Sequence, residues 1–466
     1  MLALLPWLLA CDPDTTTVTA DGIRVVIADV TDLVLAKRLA VELDRSDALT
    51  LTCVADADAD EEHVLTSAAA TEHELVLAGL LAKTAYACDA VAGSANASFE
   101  VATDALPDWA PAWTVTGETS GYTLFNHVVN GQDANEQKLL IVDPEGRIRW
   151  YHLLAEQVAG DVDSRYLGDG TVLYGGGYGA RPRRIDLAGE TVFRLATPVT
   201  GRSHHHHTER LDDGSVMSLV TTTNAVAEQE ETWTGFGVEV VDPQTGALAW
   251  AWDSQAAVEA GQLPVASGGD PYHGNWAWWT TDAEGPALWV SMRNLDRIAR
   301  VDRETGEISW TLGVDGDFTL LGPDGEPAGT EDWFYLQHAP ELTGDTLVVY
   351  DNGLGRPGGA YSRVVQYRLD VAGRTLQQEW AWTEDAWKEP IWGDADLLDD
   401  GHVLVARGHC WDCDSADVDG RSALIELDPS ADLATWRLDF DGERDGLYRA
   451  QRIDGCAVFA STRWCI

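Results

Sequence analysis

Ile141-Val142-Asp143, with Trp150 a short turn later, is the first copy of a unit that recurs along most of this chain. Further copies are Arg184-Ile185-Asp186 with Phe193, Val240-Val241-Asp242 with Trp250, and Arg300-Val301-Asp302 with Trp310. Arg368-Leu369-Asp370 with Trp380 and Glu426-Leu427-Asp428 with Trp436 complete the set. Each copy is an apolar strand, an Asp that opens a turn, usually a Gly, and a strand carrying an aromatic, which together make a hairpin. The six Asp span 285 residues over five intervals, a period of 57. Second turn signals lie between them: Leu167-Gly168-Asp169-Gly170, Leu211-Asp212-Asp213-Gly214 and Leu398-Asp399-Asp400-Gly401. Two hairpins per unit make roughly four strands, and six such units predict an all-β chain with a six-bladed β-propeller over 121–466. The stretch Gly121 to His127 is expected to supply the strand that closes the ring. A long β-solenoid is the competing architecture, but its repeats are shorter and more regular.

Working upstream, residues 16–104 contain no Trp, whereas 19 of the 20 lie from Trp109 onward, apart from Trp7. That shift marks a boundary. Residues 105–120, with Pro107 and Pro111, read as a linker, because closely spaced prolines do not sit in a central strand. Alternating segments at 23–27, 38–43, 49–55, 74–77, 85–91 and 98–102 predict a small β-sandwich. Leu77-Ala78-Gly79-Leu80 followed by Thr84-Ala85-Tyr86 resembles the tyrosine corner of fibronectin type III domains. The resemblance implies a fibronectin type III-like domain over 16–104, with Tyr86 hydrogen-bonded back to the chain. Such a domain reads as a spacer.

At the start, Leu2 to Ala10 is a run of nine apolar or small residues, too short to span a bilayer. It ends in Leu8-Leu9-Ala10-Cys11, which resembles a bacterial lipobox. The expectation is a lipoprotein-type signal over 1–11, lipidated at Cys11, although no basic residue follows Met1. The chain would be exported as a periplasmic or cell-surface lipoprotein, touching the membrane only through that anchor. Six further cysteines suit an oxidising compartment. Proximity pairs Cys53 with Cys88, Cys410 with Cys413, and Cys456 with Cys465. The Cys410-Trp411-Asp412-Cys413 spacing reads as a short structural disulfide, since no His follows it for haem and no further zinc ligands lie nearby. With 31 Lys and Arg against 77 Asp and Glu, the net charge of −46 repels phosphate backbones and excludes nucleic-acid binding as the main role.

Three places concentrate histidine or its neighbours. Ser203-His204-His205-His206-His207-Thr208 precedes Gly214. On a regular strand its rings alternate between faces, so at most two share a site. His273-Gly274-Asn275 puts His273 and Asn275 on one face, followed by Ser291-Met292-Arg293. Gln337-His338-Ala339 is followed by Asp351-Asn352-Gly353 and Ser362-Arg363. Taken together, in this order, the motifs resemble those of the bacterial arylsulfate sulfotransferases, exported six-bladed propellers that move a sulfuryl group between phenols without a nucleotide donor. The chain departs from that pattern at Ala339, where the family has Asp, and in carrying four His where the family has a pair.

The resemblance assigns the nucleophile to His338 and implies a covalent sulfohistidine, with an aryl sulfate donor and a phenolic acceptor as partners. Arg293 and Asn275 would stabilise transition-state charge, and His206 and His273 would bind oxygens or protonate the departing phenolate. His206 is favoured within its run because it lies eight residues before Gly214. His205 and Arg363 are expected to contact substrate. No cofactor and no metal are implied. Arg181, Arg183, Arg184, Arg202, Arg210, Arg297, Arg300 and Arg303 would join Arg293 in a locally positive funnel. Two other readings stay open: a non-catalytic exported propeller binding a ligand or partner protein in its central channel, and a metal-dependent hydrolase using the four His.

Overall fold

The computed structural model describes residues 15–129, 137–154, 161–177, 181–195, 202–225, 232–266, 268–385, 387–408 and 421–466. In the first region Thr16–Ala20, Ile23–Val30, Leu33–Ala55, Asp58–Ala78, Ala85–Ala92 and Ala95–Ala102 form one six-stranded sheet. Leu33–Ala55 pairs with Ile23–Val30 through its first half and with Ala85–Ala92 through its second. The two strands expected at 38–43 and 49–55 are therefore one. The polar stretch from Asp44 to Asp47 falls at register shifts in its pairing with Asp58–Ala78. Alternate side chains, among them Val25, Leu39, Leu51, Ala90 and Phe99, fill a common core. Cys53 stands opposite Cys88 and is bonded to it, with the Cα atoms 4.1 Å apart. Buried Tyr86 turns its hydroxyl back to the chain, where it accepts the Leu81 N–H at 2.8 Å.

Six further sheets follow among the described residues. The first joins Tyr122–Val129, Lys138–Val142 and Ile148–Leu153 to Ala450–Ile453 near the C-terminus. The next five begin with Asp163–Tyr166, His204–Arg210, Gly274–Asp282, His338–Thr343 and Asp394–Leu397. Each of these strands packs against the next in that order, and Asp394–Leu397 packs against Ala450–Ile453, so the contacts close into a cycle.

The repeat read from the sequence is the device that makes these sheets. All six repeat Asp sit at the turn before a sheet's next strand, and each Oδ1 accepts backbone N–H groups from that turn. Asp143 accepts from Glu145 and Arg147, Asp186 from Ala188 and Glu190, and Asp242 from Gln244 and Thr245. Asp302 accepts from Glu304 and Thr305, Asp370 from Gly373, and Asp428 from Ser430 and Ala431. The aromatics tie one sheet to its neighbour. The indole N–H of Trp150 donates to Leu187 O, Trp250 to Arg303 O and Trp380 to Asp432. Trp436 of the last sheet donates to Pro144 O of the first.

Two expectations are corrected here. Trp113–Gly117, inside the stretch read as linker, is the outermost strand of the sixth sheet, paired with Leu433–Phe440. Gly121 to His127 does not close the ring by itself: Tyr122–Val129 is an inner strand of the first sheet, and Ala450–Ile453 is laid beside it. The first region packs against the sheets that follow it. Leu33, Leu35 and Ala78 share a core with Tyr122, Leu140 and Phe459. At the same seam Arg149 Nε donates to Gly79 O at 2.7 Å, and its guanidinium pairs with Glu61 and with Asp143. Burial opposes the charge on Glu61, but hydrogen bonds from His63 and Arg149 more than offset it and hold the carboxyl at about 2. Cys456 and Cys465 are bonded, Cα atoms 5.1 Å apart. Cys11, Cys410 and Cys413 lie outside the described residues, as do the signal and lipobox.

Candidate active site

Three of the sheets begin irregularly. In His204–Arg210, the step of four from His204 to Thr208 opposes a step of two on the neighbouring strand. In Gly274–Asp282, the step from Gly274 to Trp276 opposes a step of one, and in His338–Thr343 the step from His338 to Glu341 opposes a step of two. These are β-bulges, which bend a strand and re-aim its side chains. Each coincides with a non-glycine residue in the left-handed region: His206 at φ 57°, His273 at φ 48° and Ala339 at φ 37°. That backbone costs an L-residue roughly 1–2 kcal/mol, strain of the kind that collects at functional sites.

The bulges bring the histidines together. His206 and His273 rings lie edge to face with centroids 4.9 Å apart, and His205 lies 5.0 Å from His206. His205 Nδ1 and His206 Nδ1 are 2.8 Å apart, so one of them donates to the other. This corrects the expectation that neighbouring rings in the run face apart: the bulge and the positive φ at His206 remove the alternation. Tyr448 fills the middle, with its ring centroid 6.0 Å from His206 and 6.4 Å from His338. Arg449 stacks on Tyr448, donates to Asn275 O at 3.1 Å, and packs against His207, whose Nδ1 is 2.8 Å from Asp163.

His338 is held by one clear hydrogen bond. Its Nδ1 lies 2.7 Å from Asn352 Oδ1. Asn352 Nδ2 donates to Glu389 O and Trp392 O, both at 2.9 Å. The amide orientation is set by those two carbonyls, so Oδ1 faces His338 and Nδ1 must carry the ring proton. Nε2 is left with a lone pair. Burial, with Arg293's charge second, pushes the His338 pKa well down, and the imidazole is neutral at neutral pH. His206 is likewise held well down, by burial and then by His273 and His205. Burial holds His204 and His205 at about 4. His273 is the more open ring, its side chain 22% exposed, and its Nδ1 is 2.7 Å from Asp270.

The remaining motif residues brace this arrangement. Asn275 Nδ2 donates to Gln337 O at 2.8 Å, and Gln337 Nε2 donates to Ser291 Oγ at 3.0 Å. Asp351 accepts Tyr335 N–H and pairs with Arg356 and Arg363. Ser362 Oγ donates to Asn352 O. Arg363 Nη2 also donates to the Asp332 and Trp333 carbonyls, so its guanidinium is engaged by the scaffold. Arg293 reaches Pro390 O at 2.7 Å and Asn294 Oδ1 at 2.6 Å, and stays near enough to His338 to lower its pKa.

The expected positive funnel is largely absorbed elsewhere. Arg184 and Arg210 pair with Asp169, Arg202 with Asp253, and Arg300 with Asp282. No three ligand atoms that include the four-His run lie within 4.8 Å of one another among the described residues. Sequence reasoning missed Tyr448 and Arg449. Asn352 was visible as part of the Asp351-Asn352-Gly353 motif, but with no role assigned to it.

Bulged strands thus bring together the neutral imidazole of His338, the nearby Arg293 guanidinium and further histidines. The arylsulfotransferase (ASST) family model matches residues 116–449, most of the chain, and the protein belongs to that family. Membership supports aryl sulfate sulfotransferase activity, with small-molecule aryl sulfates and phenols as substrates. No curated protein matches. Among solved structures, a putative 6-phosphogluconolactonase from Bacteroides fragilis NCTC 9343 is similar at 12% identity and TM-score 0.36, over 88% of this chain and 99% of that one. A fungal alcohol oxidase in complex with copper is similar at 13% identity and TM-score 0.38, over 70% of this chain and 66% of that one. Likenesses this distant carry no functional argument.

Proposed function

We propose that the protein transfers a sulfuryl group from an aryl sulfate ester to an acceptor phenol through a sulfohistidine on His338. The observation that carries the reading is the His338–Asn352 hydrogen bond, which leaves Nε2 unprotonated in a ring that is neutral at neutral pH. In the first half-reaction the Nε2 lone pair attacks sulfur, and the aryl S–O bond breaks with its electrons on the phenolate. In the second, an acceptor phenol attacks the same sulfur and returns the electron pair to Nε2. Arg293 supplies positive charge toward the sulfuryl oxygens. His206 and His273 handle protons and oxygens at the phenolic end. Asn275, whose amide is bonded to Gln337 O, and Arg363, bonded to Asp351, hold the loops that aim His338 and Asn352. His205 acts through His206.

In the same reading the six sheets are the blades of a β-propeller, a proposal supported by the closed cycle of contacts and by the Trp436 to Pro144 link. The first region is a fibronectin type III-like domain, supported by the Tyr86 corner. Export as a lipoprotein through Cys11 is supported by the lipobox-like sequence and by the two disulfides. The test is incubation with a sulfur-labelled aryl sulfate in the absence of acceptor. Label is expected on His338 and on no residue of a folded His338→Ala variant, which also loses all turnover. Turnover with label on another residue, or on none, would sink the proposal.

A further inference from the structure

The connection that leads into Asp394–Leu397, residues 387–393, matches no motif, yet several parts of the site meet on it. Asn352 Nδ2 donates to Glu389 O and to Trp392 O, both at 2.9 Å, and Arg293 Nη2 donates to Pro390 O at 2.7 Å. Asn352 follows Thr346–Asp351 of the sheet that begins with His338, and Arg293 follows Gly285–Met292 of the sheet before it. The connection is also tied back. Glu389 N–H donates to Ser362 Oγ at 2.7 Å, and Ser362 Oγ donates to Asn352 O at 2.9 Å. Both the backbone and the side chain of Asn352 are therefore held through Glu389.

This turn ends in an uncommon backbone. Trp392 has φ 67° and Gly393 has φ 104°. The left-handed region is ordinary for Gly, Asn or Asp and strained for a residue as large as Trp. At Gly393 a Cβ would meet the Tyr350 ring, in a conformation that side-chain-bearing residues rarely adopt. What the indole gains is a seat on Tyr448, edge to face with centroids 6.5 Å apart, in a small cluster with Val128 and Ile391. Tyr448 is the ring that stands between His206 and His338. Glycine at 392 would suit the turn better and would lose this contact.

We infer that Trp392 is a positioning residue of the transfer: seated on Tyr448, it fixes the turn whose carbonyls orient Asn352, and through Asn352 it sets the tautomer of His338. The role in turnover rests on the sulfotransferase reading above; the tautomer is readable without it. With Asn352 Oδ1 turned to the ring, the proton is on Nδ1 and the lone pair is on Nε2. With the turn released, the amide can rotate and present Nδ2 instead. That places the proton on Nε2 and removes the nucleophile. The same turn carries Pro390 O, so Arg293 loses its support together with His338. Trp392 needs no contact with substrate for this and acts through Asn352.

The test reads tautomer and turnover separately. In protein carrying isotope-labelled histidine, nitrogen–proton correlations of the His338 ring are assigned by their absence in His338→Gln. They should show Nδ1–H alone in wild type and a mixture of tautomers in Trp392→Ala. With phenyl sulfate, kcat of Trp392→Ala should fall about 10-fold while KM stays within about 3-fold. Trp392→Phe, which keeps a ring for Tyr448, should return most of the rate and the single tautomer. Gly393→Ala, which disturbs the turn from its other side, should resemble Trp392→Ala. A single Nδ1–H tautomer in Trp392→Ala, or equal losses in the Phe and Ala variants, overturns the inference and leaves the transferase reading standing. A wild type that turns over no aryl sulfate overturns the transferase reading, and the tautomer result then decides the positioning of His338 by itself. Should Trp392→Ala fail to fold, Trp392→Leu is read in the same way and is equally decisive.

Discussion

The ring contains two kinds of inner strand. Asp163–Tyr166, Asp394–Leu397 and Ala450–Ile453 pair in unbroken register and carry Asp163, Arg165, Asp394 and Asp396, with Arg449 directly before the third. His204–Arg210, Gly274–Asp282 and His338–Thr343 are bulged at their start and carry or adjoin the histidines. Both sets are buried, and burial acts on them in opposite directions. It pushes His205 down to about 4 and pushes Asp394 and Asp396 up to about 7. A chain with a net charge of −46 thus keeps much of its interior close to neutral. A regular ladder holds side chains where the pleat puts them; a bulge turns neighbouring ones toward each other, which is what a multi-histidine site needs. A cavity of about 690 Å³ is lined by Arg165 and Asp396 of the regular strands together with Glu341, Glu426 and Arg452.

The regular set should break most severely at Arg449. Arg449→Met removes the largest charge that offsets the burial of Asp163, leaving it His207 and the more distant Arg165, and the expected loss is about 3 kcal/mol of stability, read by denaturant unfolding. A loss under about 1 kcal/mol would mean that the regular strands do not depend on this charge.

The bulged set is sharpened by Asn352→Ala, which frees the His338 tautomer. It should lower kcat about 100-fold with little change in KM. Rescue by Asn352→Asp, which restores an acceptor for Nδ1–H, separates loss of the tautomer from general damage. An unchanged kcat would deny Asn352 this role.

A smaller effect is expected at Asp394. Burial pushes its carboxyl from the ordinary 3.8 up to about 7 in the folded protein. Its cost to stability is therefore absent in acid, grows as pH rises between those values, and is complete above them. Asp394→Asn should stabilise the protein by about 1–3 kcal/mol at pH 8, with the gain shrinking toward zero near pH 4. Equal effects at both pH values would show that Asp394 is ionised throughout.

Much of the ring was legible because its repeat is local. An Asp followed by a turn and an aromatic writes one hairpin into about ten residues, and all six Asp serve as read. Trp113–Gly117 was hidden because it follows Pro107 and Pro111 and owes its pairing to residues more than three hundred positions away. The bulges left no mark because the positive φ falls on His206, His273 and Ala339 rather than on glycine. Tyr448 and Arg449 lie beyond the last repeat and matched no motif. His338, His273, His206 and Arg293 could be named from motifs, but their partners could not, since hydrogen bonds such as Asn275 to Gln337 join distant stretches.

The exchange of strands across the seam has a consequence for how the protein comes into being. Trp113–Gly117, early in the ring, belongs to the last sheet, and Ala450–Ile453, near its end, belongs to the first. Tyr448 and Arg449 stand immediately before that final strand and occupy the centre of the histidine cluster. A chain halted before them can fold most of its hairpins from local sequence, yet it has no platform between His206 and His338. The histidine cluster is thus completed only when Tyr448 and Arg449 are in place. On the proposed reading, a chain cut before Tyr448 is expected to show no turnover.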